Sequence, residues 1–305
     1  MSCLSPNTFS NVNSINDYSI MGQLEENIKS YLDWSFLNIG GFINVSSGTD
    51  IYGQNNAKAA VAPITNNKKG FIWETNKKDW VWETGVSCLG DSPISISGIN
   101  VNGIFLPSPT GSGAYGYQLD YPNGNIIFKN NIPVSSKVYI NHSYRKCQVY
   151  KSSSCNWWTQ FKNSIYSDLT NEHILQTPAI VIEPTIGSVM KPYQLGDRSF
   201  FIDQDVLLYI FSSSAIERNN LLDIIRLQKE KYILMYDINK VISDQKYPLR
   251  YNGSINPTGY SYTNMLNNYE DYGLFFKNMT ILGLENYNKQ MFWCILRITA
   301  QVKSN

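Results

Sequence analysis

Charge is what this 305-residue chain has least of. Asp, Glu, Lys and Arg supply 16% of it, where a globular chain carries about a quarter. The net charge is +1. Its basic residues stand in short, scattered groups: Lys68-Lys69, Lys77-Lys78 and Arg145-Lys146. Binding nucleic acid through phosphate neutralisation needs clustered Lys and Arg, so free nucleic-acid binding is not expected, although a ring could pass DNA through its lumen without gripping it. Cysteine is scarce too. The five, Cys3, Cys88, Cys147, Cys155 and Cys294, are odd in number and form no C-x-x-C pair. That spacing supports neither a disulfide scaffold nor a zinc site, and free thiols in a reducing cytoplasm are expected. No apolar run approaches the roughly eighteen residues of a membrane helix. Met1-Ser2-Cys3-Leu4-Ser5-Pro6-Asn7 lacks the basic-then-apolar pattern of a secretory signal. The sequons at Asn141-His142-Ser143 and Asn278-Met279-Thr280 therefore read as chance matches. Neither G-x-x-x-x-G-K-[ST] nor G-x-S-x-G occurs.

What is present is apolar and aromatic. Hydrophobic residues make up 43%, with 21 Tyr and 7 Trp. That is a globular chain, long enough for one large or two ordinary domains. Asn, Ser, Thr, Gln and Tyr supply the polarity. An uncharged polar surface rich in Tyr and Trp suits burial in an assembly. AT-rich coding explains the same composition equally well.

Along the chain, residues 1–20 read as an extended arm. The spacing of Leu24, Ile28, Tyr31, Leu32 and Phe36 predicts a helix over 21–37, ended by Gly40-Gly41. Phe42-Ile43-Asn44-Val45 is a short strand, and 46–70 is mostly loop. From 73 to 150 the chain alternates short β-like runs with Gly, Pro and Asn. Lys151-Ser152-Ser153-Ser154 is a linker, followed by an aromatic segment at Trp157, Trp158, Phe161 and Ile165. Strands are expected at 179–183, 199–203 and 205–211. Ser214-Ala215-Ile216-Glu217 is a capping box opening a helix that ends between Lys231 and Tyr236. Residues 237–278 read as ordered loops, and 290–302 as a strand buried on both faces. The expected fold is α+β. A small mixed or antiparallel sheet with two main helices, from 21–72 and 151–305, carries an inserted antiparallel β-module at 73–150, sandwich- or barrel-like.

Candidate chemistry is thin. Gly111-Ser112-Gly113-Ala114-Tyr115-Gly116 matches G-x-G-x-x-G, but Pro107-Ser108-Pro109 precedes it and a β-like run follows, so it reads as a hairpin loop. His142 and His173 have no ligand-spaced neighbour. A Cys–His pair with Cys147 or Cys155 has no local support. Asp168 with Glu172, and Asp203 with Asp205, are carboxylate pairs without a visible pocket. No catalytic, cofactor or metal residue is assigned. Trp157-Trp158 is the most unusual local feature, and it fits an anchor into a partner or a core plug equally. Tyr260 and Tyr262 invite the same two readings, with carbohydrate contact as a third. So does Tyr269-Glu270-Asp271-Tyr272. Trp157, Trp158, Tyr260 and Tyr262 are the candidate interface residues.

Lys78-Asp79-Trp80-Val81-Trp82-Glu83-Thr84-Gly85 and Tyr121-Pro122-Asn123-Gly124-Asn125-Ile126-Ile127-Phe128 resemble segments of structural proteins of tailed bacteriophage virions, particularly contractile-tailed phages of marine cyanobacteria. In element order the remainder resembles tail-terminator or tail-completion proteins: helix 21–37, strands over 179–211, helix 214–231 and strand 290–302. The long insertion and the Tyr/Asn-rich loops depart from the simplest members. The resemblance implies a non-enzymatic virion component, assembled in the host cytoplasm. It would stand at the neck or upper tail as a sixfold ring that caps the tube and joins it to the connector. Its partners would be its own copies and tail tube, sheath or neck proteins. DNA would pass through the lumen without specific binding, and no membrane is involved. A baseplate or fibre-attachment protein is the first alternative, and a phage-encoded wall hydrolase the second.

Overall fold

The computed structural model describes residues 15, 20–47, 57–63, 69–107, 115–155, 157–158, 176–192, 200–271, 273–288 and 291–304. The expected arm at 1–20 lies outside them apart from residues 15 and 20. Helix α1 (Ile20–Asn38) forms where its apolar residues recur at helical spacing, and Leu24, Ile28, Tyr31, Leu32 and Phe36 are all buried. Two glycines end it. Gly40 takes φ 80, and a Cβ on Gly41 would stand 2.6 Å from the Phe36 carbonyl. The chain leaves as β1 (Phe42–Val45), which pairs with β9 (His142–Arg145) in a two-stranded ribbon with Phe42 opposite Arg145.

Between those strands the chain builds a seven-stranded antiparallel sheet. It uses β2 (Lys58–Val61), β3 (Ile72–Thr75), β4 (Gly98–Val101), β5 (Ile104–Pro107), β6 (Tyr117–Asp120), β7 (Asn125–Phe128) and β8 (Val138–Ile140). The spatial order is β5-β4-β8-β2-β3-β7-β6. Trp73, Leu119, Ile126, Phe128, Val138 and Ile140 turn into one core with Trp80. The sheet curls so that its two edge strands approach each other, and the Tyr117 hydroxyl of β6 donates to the Leu106 carbonyl of β5 at 3.0 Å. The module reaches further back than residue 73, because β2 begins at Lys58. It also gives up its end. Strand β10 (Gln148–Lys151) runs parallel to β11 (Ala179–Pro192) and joins the body sheet.

That second sheet has six strands in the order β10, β11, β12 (Phe200–Ser212), β15 (Met291–Ser304), β14 (Leu274–Asn288), β13 (Tyr232–Ile233), antiparallel except for β10–β11. Ile180, Ile182, Val206, Leu208, Ile210, Leu296 and Ile298 line one face and are buried in one core with α1 and α2 (Ala215–Arg226). Helices α3 (Ile238–Ser243) and α4 (Tyr262–Asn268) complete that side. The fold is therefore α+β, with four helices among the described residues, mostly antiparallel sheets of half-barrel curvature, and a β-module.

Several elements differ from their sequence expectation. The strands expected at 199–203 and 205–211 are one, β12, because Asp203 and Asp205 face the side away from the helices and do not break the alternation. Strand β15 is fully buried on one face only: Cys294, Leu296, Ile298 and Ala300 are in the core, while the residues between them are half-exposed. Most of β14 was not expected as strand. Three register shifts, at 276/278, 281/283 and 286/288, break its period of two. Helix α2 stops at Arg226, short of Lys231, and Glu230 takes φ 64 in the turn that follows. Its cap is half the expected box. Ser214 Oγ accepts from the Glu217 amide at 3.2 Å, while the Glu217 carboxylate takes the Ser213 hydroxyl.

Leu208→Ala should cost about 2–5 kcal/mol of unfolding free energy in urea titration, because Leu208 is fully buried between sheet and helices. Ser214→Ala, which removes one cap acceptor, should cost about 1 kcal/mol in the same measurement.

Candidate functional site

Where module meets body, one cation lies almost fully out of water. Arg145 is 1% exposed. It ends β9, and its amide donates to the Asp79 carbonyl at 3.1 Å. Its Nη1 reaches Asp79 Oδ1 at 2.8 Å and the Trp80 carbonyl at 3.2 Å. Nη2 donates to Glu83 Oε1. Nε stands 3.7 Å from Asp33 Oδ1 on α1. The guanidinium also lies on the face of Trp82, 3.8 Å from the ring centroid. Asp33 takes a second cation, Lys29 Nζ, at 2.6 Å one helical turn away. Asp79 can occupy its turn because Asp tolerates the left-handed region, here φ 57.

The electrostatics follow from burial. Burial opposes the charge on Arg145, but Asp79, Glu83 and Asp33 outweigh it and hold the guanidinium fully protonated. Burial pushes the Asp79 carboxyl up to about 6, with Asp33 and Glu83 adding to the rise and Arg145 opposing it. Asp79 is thus ionised and paired at neutral pH. A neighbouring pair repeats the arrangement. Burial resists ionisation of Glu26, yet Lys151 at 2.7 Å, Lys29 and the Tyr247 hydroxyl at 2.8 Å together bring its carboxyl below the usual range.

A cleft of about 110 Å³ opens above this cluster, walled by Trp34, Trp82, Tyr247, Tyr260 and Tyr262. A wider one, about 650 Å³, lies beside Glu26, Lys151, Arg250 and Tyr251. Three carboxylates and a backbone carbonyl of the chain surround Arg145, with Nε making only the 3.7 Å ion pair to Asp33 and no hydrogen bond, so its charge is already matched and it offers no anion site. Each carboxylate facing it is held by a cation, an arrangement suited to fastening and not to proton transfer. Among the described residues, no three His, Cys, Asp or Glu gather as for a metal ion.

The candidate interface residues fall into two groups. Trp157 and Trp158 cover the second face of the body sheet with Tyr150, Tyr209, Phe211 and Trp293. Trp158 lies 4.3 Å from Tyr209 between ring centroids and is buried, and Trp157 is half-buried. Tyr262 is buried against Trp34, and Tyr260 is half-buried beside Tyr269. Trp158 and Tyr262 are therefore core residues, not interface. Each fills space that an adjoining sheet or helix would otherwise leave open to water. Only Trp157 and Tyr260 keep exposed surface.

The remaining candidates are placed as follows. His142 is fully buried against Trp80, ring centroids 5.2 Å apart, and its Nδ1 meets the Ile140 carbonyl at 3.1 Å. Burial lowers its pKa to about 4. Burial raises the Cys147 thiol well above its ordinary value and the Cys155 thiol to about 11, so neither is a thiolate nucleophile. Asp203 holds Lys277 at 2.9 Å and Gln301 at 2.6 Å, and Asp205 accepts from Thr299 at 2.7 Å, cross-strand links on the sheet's outer face. Of the G-x-G-x-x-G stretch only Tyr115 and Gly116 are described, leading into β6. Residues 111–114, Asp168, Glu172, His173 and Tyr272 lie outside the described residues.

The Arg145 cluster was missed by sequence reasoning, which took Arg145 only as part of a short basic group. The available signal was a lone Arg in a short alternating strand, with acidic residues flanking Trp80 and Trp82. No family model matches this chain, and no curated protein or solved structure does.

Arg145→Met should cost about 3–5 kcal/mol in chemical denaturation, because it leaves buried carboxylates without their cation. Arg145→Lys should recover only part of it, since an ammonium cannot fork to two carboxylates. A pH titration of stability tests His142. Its folded pKa lies below its unfolded one, so the unfolded state binds the extra proton. Stability should fall by about 3 kcal/mol as pH drops from 6.5 to about 4. His142→Phe should remove that component.

Proposed function

We propose that this chain is a non-enzymatic structural protein of a tailed-phage virion. It works at the neck or upper tail as a ring subunit that caps the tube and joins it to the connector. The observation that supports this reading is the fastening of module to body. Asp33 of α1, Asp79 and Glu83 of the intervening segment and Arg145 of β9 close into one buried cluster. A joining part must hold two neighbours at a fixed separation, and a subunit whose two halves share a buried ion cluster resists bending between them. The low charge adds support, since a weakly charged surface suits burial between copies.

Light scattering with negative-stain class averages of the purified protein tests the reading. Sixfold rings with a hole the width of a tail tube are the expected result. A trimer would move the assignment to a baseplate or fibre-attachment protein. Degradation of cell wall, lost on substitution of one carboxylate or cysteine, would replace it with a hydrolase.

A further inference from the structure

Among the described residues the body sheet is finished on neither side. Strand β10 pairs with β11 only from Ala179 to Ile182, and β13 pairs with β14 only at Phe275 and Leu274. Among the described residues, 184–192 of β11 and 278–286 of β14 have no strand on their outer sides. Those two stretches also carry Ile186, Val189 and Met190, and Leu282 and Leu284, large apolar residues that are at least half-exposed. Backbone edges left open beside apolar side chains are templates for another strand.

Four observations indicate that the missing strand comes from a second copy of this chain. The first is direction. Strand β11 opposes β12, β12 opposes β15 and β15 opposes β14, so β11 and β14 run in opposite senses. A copy placed alongside in the same orientation sets its β11 antiparallel to β14, the pairing already used across the body sheet. The second is offset. The open part of β11 lies at the Phe200–Ser304 end of the ladder, and that of β14 at the Ser212–Phe292 end. Matching them slides one copy along the strands, which is the stagger that a closing, tilted sheet requires. The half-barrel curvature of the sheet has the same consequence. The third is charge: each stretch carries a single charged residue, Lys191 in 184–192 and Glu285 in 278–286, so pairing them brings no like charges together.

The fourth is the placement of proline. Pro184 and Pro192 pair with Val206 and Phe200, so they share parity on the ladder. Proline has no amide to give, and its tolerated place in a sheet edge has the nitrogen facing outward. Ser188 and Met190 have the same parity and present their amides to the open side, between two prolines that set the limits of pairing.

We propose that copies of this chain join edge to edge, residues 184–192 of one pairing antiparallel with residues 278–286 of the next. The contact is head-to-tail, so it generates a ring when the rotation closes. It rests on the ring reading above and supplies its contact.

Two variants test it, each checked for an unchanged far-UV spectrum and melting profile. Met190→Pro removes an outward amide from β11 and leaves β14 intact. Leu282→Lys with Leu284→Lys sets two ammonium groups against the uncharged 186–188 part of β11 in that pairing and leaves β11 intact. Mass is read by light scattering and analytical centrifugation. The wild type should form a closed assembly, each variant alone should be monomeric, and an equal mixture should give one-to-one dimers through the two intact edges. Assembly of either variant alone into wild-type rings would overturn the edge contact and leave the ring reading standing. A mixture that stays monomeric would overturn it as well. A wild type monomeric at its highest soluble concentration would sink both.

Discussion

A guanidinium withdrawn from water keeps its charge only if carboxylates meet it, and Arg145 draws them from three separate stretches of chain. Asp33 arrives on a helix, Asp79 in a left-handed turn and Glu83 just after Trp82, whose ring covers the guanidinium face. Satisfying that one cation fixes where α1 stands against β9 and where the 79–83 segment crosses between them. The β1–β9 ribbon, with Phe42 opposite Arg145, leads α1 directly to the same point. Module and body meet around this charge, with Asp33 of α1 completing its ring of carboxylates.

A second strap works through backbone carbonyls of the body. The loop after α3 reaches the module's β6 edge, where the Tyr121 amide donates to the Gly253 carbonyl at 3.0 Å and Gln118 Nε2 to the Asn252 carbonyl at 3.2 Å. A Cβ at Gly253 would stand 2.1 Å from Asp120 Oδ1, and its φ is 77, so glycine is the residue that permits the approach. This contact covers one edge of the module sheet. Among the described residues the body sheet's edges have only β10 and β13, each paired over a few residues.

Local signals were readable wherever one periodicity held. The helical spacing of Leu24, Ile28, Tyr31 and Phe36 gave α1 to within a residue or so at each end, and Ser214 with Glu217 marked the start of α2. The α+β class and the antiparallel module followed from the order of such segments. Periodicity failed where the chain itself leaves it. Strand β14 is bulged three times, so its apolar residues never alternate for long enough to be read as strand. Asp203 and Asp205 looked like a strand boundary because sequence does not say that their face of β12 meets Lys277, Gln301 and Thr299.

By itself the sequence determined which segments would bury apolar surface and with what period, because side-chain chemistry and spacing act over a few neighbouring residues. It also determined that clustered positive charge and metal-ligand spacing are missing. The tertiary structure alone decided which aromatics are core. Trp157 and Trp158 are adjacent in the chain, yet one is half-buried and the other packed on Tyr209, a difference set by a sheet assembled from distant strands. It alone brought Asp33, Asp79, Glu83 and Arg145 together. Coulombic pairing in a dry interior acts through space, and no spacing along the chain encodes it.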